Sequence, residues 1–221
     1  MDSINLTRKN GSSIENEFYR IGSKYLGVVL SGFGYTYKNT LLYYSKRVLQ
    51  EKGIDYWGID YKYYGDQAFL KMSEIEKDKY FEDDNTIVVD MIDELSDKYE
   101  KIILIGKSMG TSIIRRYIRK GQHTDKSIYI LITPGTEWSD MINDLKEIDN
   151  TTLIIGSLED HNYIVKNLSD IYEKKNLRSY EIQHGNHLLE TNNVQTDIDV
   201  LKKIIIEISK FIDEEVLGHN A

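Results

Sequence analysis

A serine, an aspartate and a histidine, met in that order along the chain, are the residues whose types and settings point to chemistry. Ser108 lies in KIILIGKSMG, Lys101 to Gly110, where an apolar run ends in Gly-Lys-Ser-Met-Gly and a helical pattern follows at once. That is the sequence form of a nucleophile elbow, a tight strand-to-helix turn that holds its serine in a strained backbone conformation and projects the hydroxyl off the sheet. Gly106 and Gly110 leave out side chains that would collide across the turn. A serine hydroxyl is a weak nucleophile at its ordinary pKa, so it needs a general base, and the base needs a group that fixes its tautomer. His187 in HGNHLLE and Asp160 in GSLEDHNY lie downstream in segments read as loops that follow strands. The three together would carry out covalent attack on a carbonyl.

Other chemistries fit the same residues less well. Gly-Lys-Ser could end a phosphate-binding loop, but that motif needs a glycine five positions before its second glycine. Lys101 stands there, inside the apolar run. His184, His187 and Glu190 could form a metal site, yet no further ligand cluster accompanies them, so no metal and no cofactor is expected. Arg115, Arg116, Arg119 and Lys120 fall toward the end of the helix after the elbow, where cations complement the negative end of the helix dipole. They are read as a solvated helix end rather than a phosphate site.

These residues have to be positioned by a sheet. Apolar, strand-like runs alternate with amphipathic helical ones from residue 26 onward, the pattern of a parallel sheet with helices on both faces. Strands are predicted at Leu26 to Gly32, Asp55 to Tyr61, in the elbow run, at Ser127 to Thr133, Thr151 to Gly156 and Ser179 to Gln183. Helices are predicted at about Asn39 to Lys52, Tyr80 to Tyr99, Met109 to Lys120, Ser139 to Ile148, Tyr163 to Lys174 and Val194 to Val216. Residues Ile4 to Ile21, with Gly11 central, read as an N-terminal hairpin within the first 25 residues. Gly135 to Asn150 is the one stretch that could act as a small lid. Ligands bind in such sheets at the edge formed by the strand C-termini, which is where the loops bearing Ser108, Asp160 and His187 belong.

Length and composition agree with one domain, residues 1–221, in the α/β class. The formal charge of -8 argues against nonspecific binding to nucleic acid or to an anionic membrane, both of which draw on excess Lys and Arg. No apolar run approaches the ~18 residues that a membrane span needs, and MDSINLTRKNG lacks the apolar core of a signal peptide. A cytoplasmic protein is expected. With no cysteine, the chain offers neither disulfides nor thiolate chemistry.

With this order of serine, acid and histidine, the chain resembles the α/β-hydrolase fold family, over about Leu26 to Glu190. The resemblance implies a mostly parallel central sheet flanked by helices and a serine esterase or thioesterase acting through an acyl-enzyme on a small acyl substrate, like the small lidless members. Peptidase or lactone hydrolysis would use the same machinery, and a noncatalytic binding protein on the same fold is the alternative from another class. It also implies an oxyanion hole made by the backbone amide of the residue after the nucleophile and by one from the loop after an earlier strand. Those positions are Met109 and Phe33, the latter in LSGFGYTY. Ser31 stands where many members carry histidine. The usual place for the acid, three residues after the strand's glycine, holds Glu159, which makes it the alternative to Asp160. Of 17 tyrosines, Tyr35, Tyr37, Tyr61, Tyr63 and Tyr64 fall near the active edge, and Tyr35 is the one expected to touch substrate. Lys107, just before the nucleophile, is a second substrate-pocket candidate.

Overall fold

The computed structural model describes residues 3–135, 138–163, 171 and 173–218. Its centre is a seven-stranded sheet in the order β1-β3-β2-β4-β5-β6-β7. The strands are β1 (Glu15–Tyr19), β2 (Tyr25–Leu30), β3 (Asp55–Asp60), β4 (Lys101–Lys107), β5 (Ser127–Ile132), β6 (Thr152–Ser157) and β7 (Leu177–Ile182). β1 is antiparallel to β3, and every other pairing is parallel. Continuous runs of buried residues in β3, β5 and β6 follow from this, because a parallel strand covered on both faces has no solvent side to make polar.

Helices α3 (Glu74–Ser96), α4 (Met109–Lys120) and α5 (Trp138–Lys146) cover one face, and α1 (Thr40–Glu51) and α6 (Val194–Ile212) cover the other. Two apolar layers result. Val88, Ile92, Ile113, Ile114 and Leu145 pack on one side of the sheet, and Leu42, Leu49, Ile204, Ile208 and Ile212 on the other. A short helix, α2 (Gln67–Leu70), precedes α3.

The predicted elements differ from these mostly at their ends. α3 begins at Glu74 rather than at Tyr80, because Ser73 and Glu76 form a reciprocal capping box that starts the helix earlier. The helix expected at Tyr163 to Lys174 falls largely on residues 164–170 and 172, which lie outside the described residues. The N-terminal segment needs correction. A small hairpin closes over residues 6–14, with the Ile14 amide donating to the Leu6 carbonyl at 3.0 Å, but residues 15–19 leave it and pair with β3 instead. Glu15 to Tyr19 finds in β3 an open sheet edge with a full register of partners, which a short hairpin cannot offer. No helix among the described residues is long and apolar enough to cross a membrane.

Two glycines set the spacing at the elbow. A Cβ on Gly106 would lie 2.7 Å from the Gly110 carbonyl oxygen, and one on Gly110 would fall on the Leu30 carbonyl oxygen. Only residues without side chains let α4 start this close to β2 and β4.

Candidate active site

Ser108 joins β4 to α4 with φ 51° and ψ -117°, a conformation that side chains with a Cβ rarely adopt. The surrounding bonds hold it there. The Ser108 amide donates to the Ile132 carbonyl at 2.9 Å, and the Ser108 carbonyl accepts from both the amide (2.9 Å) and the hydroxyl (2.6 Å) of Thr111.

Asp160 follows β6 in a turn in which its amide donates to the Ser157 carbonyl at 3.1 Å and its carbonyl accepts from the Tyr163 amide at 2.9 Å. The ring of Tyr163 lies over Gly156, where a Cβ would come within 2.5 Å of the ring atoms. The glycine is therefore what lets this turn fold back. The Asp160 carboxylate is buried, one oxygen accepting from the Asn162 amide at 3.0 Å and the other facing the His187 ring.

His187 stands in a loop organised around Asn186. The Asn186 side-chain oxygen accepts from the amides of Leu188 (2.8 Å) and Glu190 (3.2 Å), while its own amide donates to the Glu190 carbonyl at 2.9 Å. Two further bonds anchor the loop to the sheet. The Ser157 hydroxyl donates to the Gly185 carbonyl at 2.6 Å, and the Lys107 ammonium donates to the His187 carbonyl at 3.0 Å.

The three side chains meet. His187 Nδ1 lies 2.7 Å from Asp160 Oδ2, and His187 Nε2 lies 2.8 Å from Ser108 Oγ. The partners suit one tautomer: a neutral imidazole with its hydrogen on Nδ1 donates to the carboxylate and leaves Nε2 to accept from the serine hydroxyl. Glu159 points elsewhere. Its carboxylate faces His184 Nδ1 at 2.7 Å, on the surface, and that bond holds it below the usual glutamate range. The alternative acid thus lacks contact with His187, because consecutive residues in this turn send their side chains to opposite sides.

The loop after β2 borders the elbow. A Cβ on Gly32 would lie 3.2 Å from the Lys107 carbonyl oxygen and 3.5 Å from Ser108 Cβ, so the Phe33 backbone follows directly beside Ser108. Ser31, standing in the place of a histidine, is buried and accepts from the Tyr37 amide at 2.8 Å. The Phe33 ring turns outward onto Tyr63, Tyr64 and Phe69, with centroids 6.2 to 6.5 Å away. Both segments named for an oxyanion hole, at Phe33 and Met109, therefore adjoin Ser108.

A cavity of about 490 Å³ opens above Ser108 and His187, walled by Met109, Ser112 and Asn162 and, from α3, by Phe81, Glu82 and Asn85. Of the possible lid segment only Gly135 lines it among the described residues, since Met141, Ile142 and Leu145 of α5 are buried in the core. Both substrate-pocket candidates prove to be elsewhere. Tyr35 accepts from the Leu41 amide at 2.9 Å and lines a groove on the α6 side, because the loop doubles back at Gly32 and carries the ring away from the cavity. Lys107 is fully buried beneath the histidine loop, since the residue before Ser108 still belongs to the strand and points into the layer on the far side. Of the other tyrosines at this edge, Tyr37, Tyr61 and Tyr63 are buried in the core.

Phe81, Glu82 and Asn85 fall in the helix expected from Tyr80 onward, but nothing in the sequence marks their place in the cavity wall, because it depends on how α3 packs beside α4. Past Glu82, Asn85 and Ser112 the cleft adjoins a second groove of about 300 Å³ lined by the four cations at the end of α4. Two of these are not solvated as expected. Arg115 pairs with Asp140 at 3.1 Å and Asp144 at 2.7 Å, and Arg116 pairs with Glu82. Among the described residues no group of three or more His, Cys, Asp or Glu is arranged to hold a metal ion.

No protein-family model and no curated protein matches the chain in sequence. Solved structures do match in shape. Est1E from Butyrivibrio proteoclasticus, solved with ferulic acid bound, is similar at a TM-score of 0.71 and 12% identity, over 97% of this chain and 100% of that one. An esterase from Pyrococcus furiosus matches at 0.68 and 13%, over 96% and 90% of the two chains. A dienelactone hydrolase from Anabaena variabilis matches at 0.64 and 14%, over 96% of each. At such identities the likeness is one of fold.

Proposed function

The chain has the α/β-hydrolase fold, and on that premise we propose that it is a serine hydrolase cleaving a small carboxylic ester or thioester. The observation that carries the proposal is the continuous relay from Ser108 through His187 to Asp160, at 2.8 and 2.7 Å. In this reading His187 Nε2 takes the proton of Ser108 as Oγ attacks the substrate carbonyl, and Asp160 stabilises the imidazolium without taking its proton. The amides of Phe33 and Met109 hold the oxyanion, and the start of α4 adds a favourable dipole. His187 then returns the proton to the leaving alcohol or thiol. A water that gives a proton to the same imidazole attacks the acyl-serine, the Ser108 Oγ bond to the acyl group breaks as His187 returns that proton to Oγ, and the free acid leaves.

The small-acyl reading is supported by the open cleft, whose walls are α3, α4 and short loops. The test is labelling of the folded protein with a fluorophosphonate probe, followed by peptide mass spectrometry with Ser108→Ala as control. Phosphonylation of Ser108 is expected, together with turnover of p-nitrophenyl acetate that the alanine variant loses. An unmodified Ser108 in folded protein overturns the proposal.

A further inference from the structure

The mechanism above makes no use of Lys107, although a fully buried ammonium is one of the costlier groups a fold can carry. Its surroundings supply two acceptors and an aromatic ring. Lys107 Nζ donates to the Thr133 hydroxyl at 2.9 Å and to the His187 carbonyl at 3.0 Å, and it lies 4.8 Å from the centroid of the Tyr35 ring. These three partners come from three separate segments: the end of β5, the histidine loop and the loop after β2. The fourth segment is its own, because Lys107 is bonded directly to Ser108. One side chain therefore joins the nucleophile's strand to the loop of the base.

We propose that Lys107 is a positioning residue for His187, its ammonium tying the histidine loop to the elbow strand and so setting the reach of the imidazole to Ser108. The inference rests on the serine-hydrolase reading. Ser157 holds the same loop at Gly185, two residues earlier, and the Asn186 bonds tie the loop to itself rather than to the sheet. The Lys107 bond falls on the His187 carbonyl itself. Misplacing a catalytic group by about 1 Å can cost on the order of 100-fold in rate, so a single bond at this point has leverage.

The charge of the latch can be titrated. The charged and ionisable groups around Lys107 are Asp160 after β6, Glu190 in the histidine loop and Tyr35 in the loop after β2. Burial brings the ammonium down to about 8, against the pull of Asp160 and Glu190 in the other direction. Above that pH the neutral amine loses its attraction to the Tyr35 ring and donates more weakly to the carbonyl.

The experiment measures the second-order rate of Ser108 labelling by the fluorophosphonate probe, and kcat and KM for p-nitrophenyl acetate, from pH 6 to 10. Wild type is compared with Lys107→Met and Thr133→Val. In Lys107→Met, labelling and kcat are expected to fall about 10- to 100-fold with KM within about twofold. Its melting temperature should be unchanged or higher. Wild type should lose activity above about pH 8, and that limb should be absent in Lys107→Met. Thr133→Val keeps the shape but removes one acceptor, so it should move the limb to lower pH at a loss of about threefold near neutrality. Equal labelling rates and superimposed pH profiles in wild type and Lys107→Met overturn the inference alone, because a labelled wild-type Ser108 leaves the hydrolase reading standing. An unlabelled wild-type Ser108 overturns both. Should Lys107→Met fail to fold, an unshifted limb in Thr133→Val overturns the inference and a shifted one supports it.

Discussion

Replacing Arg8 by methionine should cost the fold about 4 kcal/mol, within the roughly 3–5 kcal/mol typical of breaking a buried ion pair from one side. Arg8 is 8% exposed and Asp84, its partner on α3, 1%. Arg8 Nε lies 2.9 Å from both Asp84 oxygens, and the two Nη atoms donate to the carbonyls of Tyr61 (2.9 Å) and Ser13 (3.0 Å). With Arg8 gone, the Asp84 carboxylate keeps only the Tyr63 hydroxyl, at 2.7 Å. The penalty arises mainly from that uncompensated charge, so removing the charge as well should reverse much of it. The double variant Arg8→Met with Asp84→Leu is expected to regain at least about 2 kcal/mol over the single one. Burial already holds the Asp84 carboxyl above its ordinary 3.8. A carboxyl raised in the folded state contributes stability below the unfolded value and loses it as pH rises through the folded one, so the Arg8→Met deficit should shrink toward acid pH. Urea denaturation followed by tryptophan fluorescence at neutral and mildly acidic pH measures all of this. A single variant within about 1 kcal/mol of wild type, or a double variant no better than the single, would refute the reasoning. The network also bears on the site, because Tyr63 packs on Phe69 at 4.7 Å and both rings support Phe33.

Asp160→Asn should lower kcat for p-nitrophenyl acetate by about 10⁴-fold, as loss of the tautomer-fixing charge does in other triads. Glu159→Gln, one residue away, should leave kcat within about twofold, since its carboxylate contacts His184 and not His187. Gly156→Ala should displace the Tyr163 ring, now within 2.5 Å of where the new methyl would go, costing about 1–3 kcal/mol by thermal denaturation and slowing the labelling of Ser108. Because Lys107 is held near 8 in the folded chain against 10.5 unfolded, the unfolded chain binds more protons between those values and stability should rise with pH across them. The full span is about 3 kcal/mol, read as the difference between wild type and Lys107→Met so that tyrosines titrating higher cancel.

Where the chemistry depends on local sequence, the chain could be read directly. Gly106, Ser108 and Gly110 announce their turn because only a narrow set of residues can make it, and Asp160 follows a strand whose apolar run is unbroken, whereas His187 follows the more polar β7 and is marked only by its place after the last strand. What stayed hidden depends on contacts distant in sequence. Asp84 sits on α3 among charged neighbours, and only Arg8, 76 residues away, makes it a core residue. Lys107 reads as a polar residue beside a nucleophile until β5 and the histidine loop close over it. Tyr35 could not be placed because the loop reverses at Gly32, where a backbone bond to the Tyr35 carbonyl sets its course. β1 shares this property, since nothing in Glu15 to Tyr19 names β3 as its partner.

The strand next to His187 is β7, at one edge of the sheet, and the histidine follows Ser108 by 79 residues. Protein chains emerge from the ribosome N-terminal end first. The elbow, the strands flanking it and the acid's turn are thus all made before the base appears, and the base has no fixed address until β7 docks on β6. On the proposed hydrolase reading, a half-made chain carries the serine with nothing to deprotonate it. Placing the histidine after the last strand then couples the onset of reactivity to completion of the sheet.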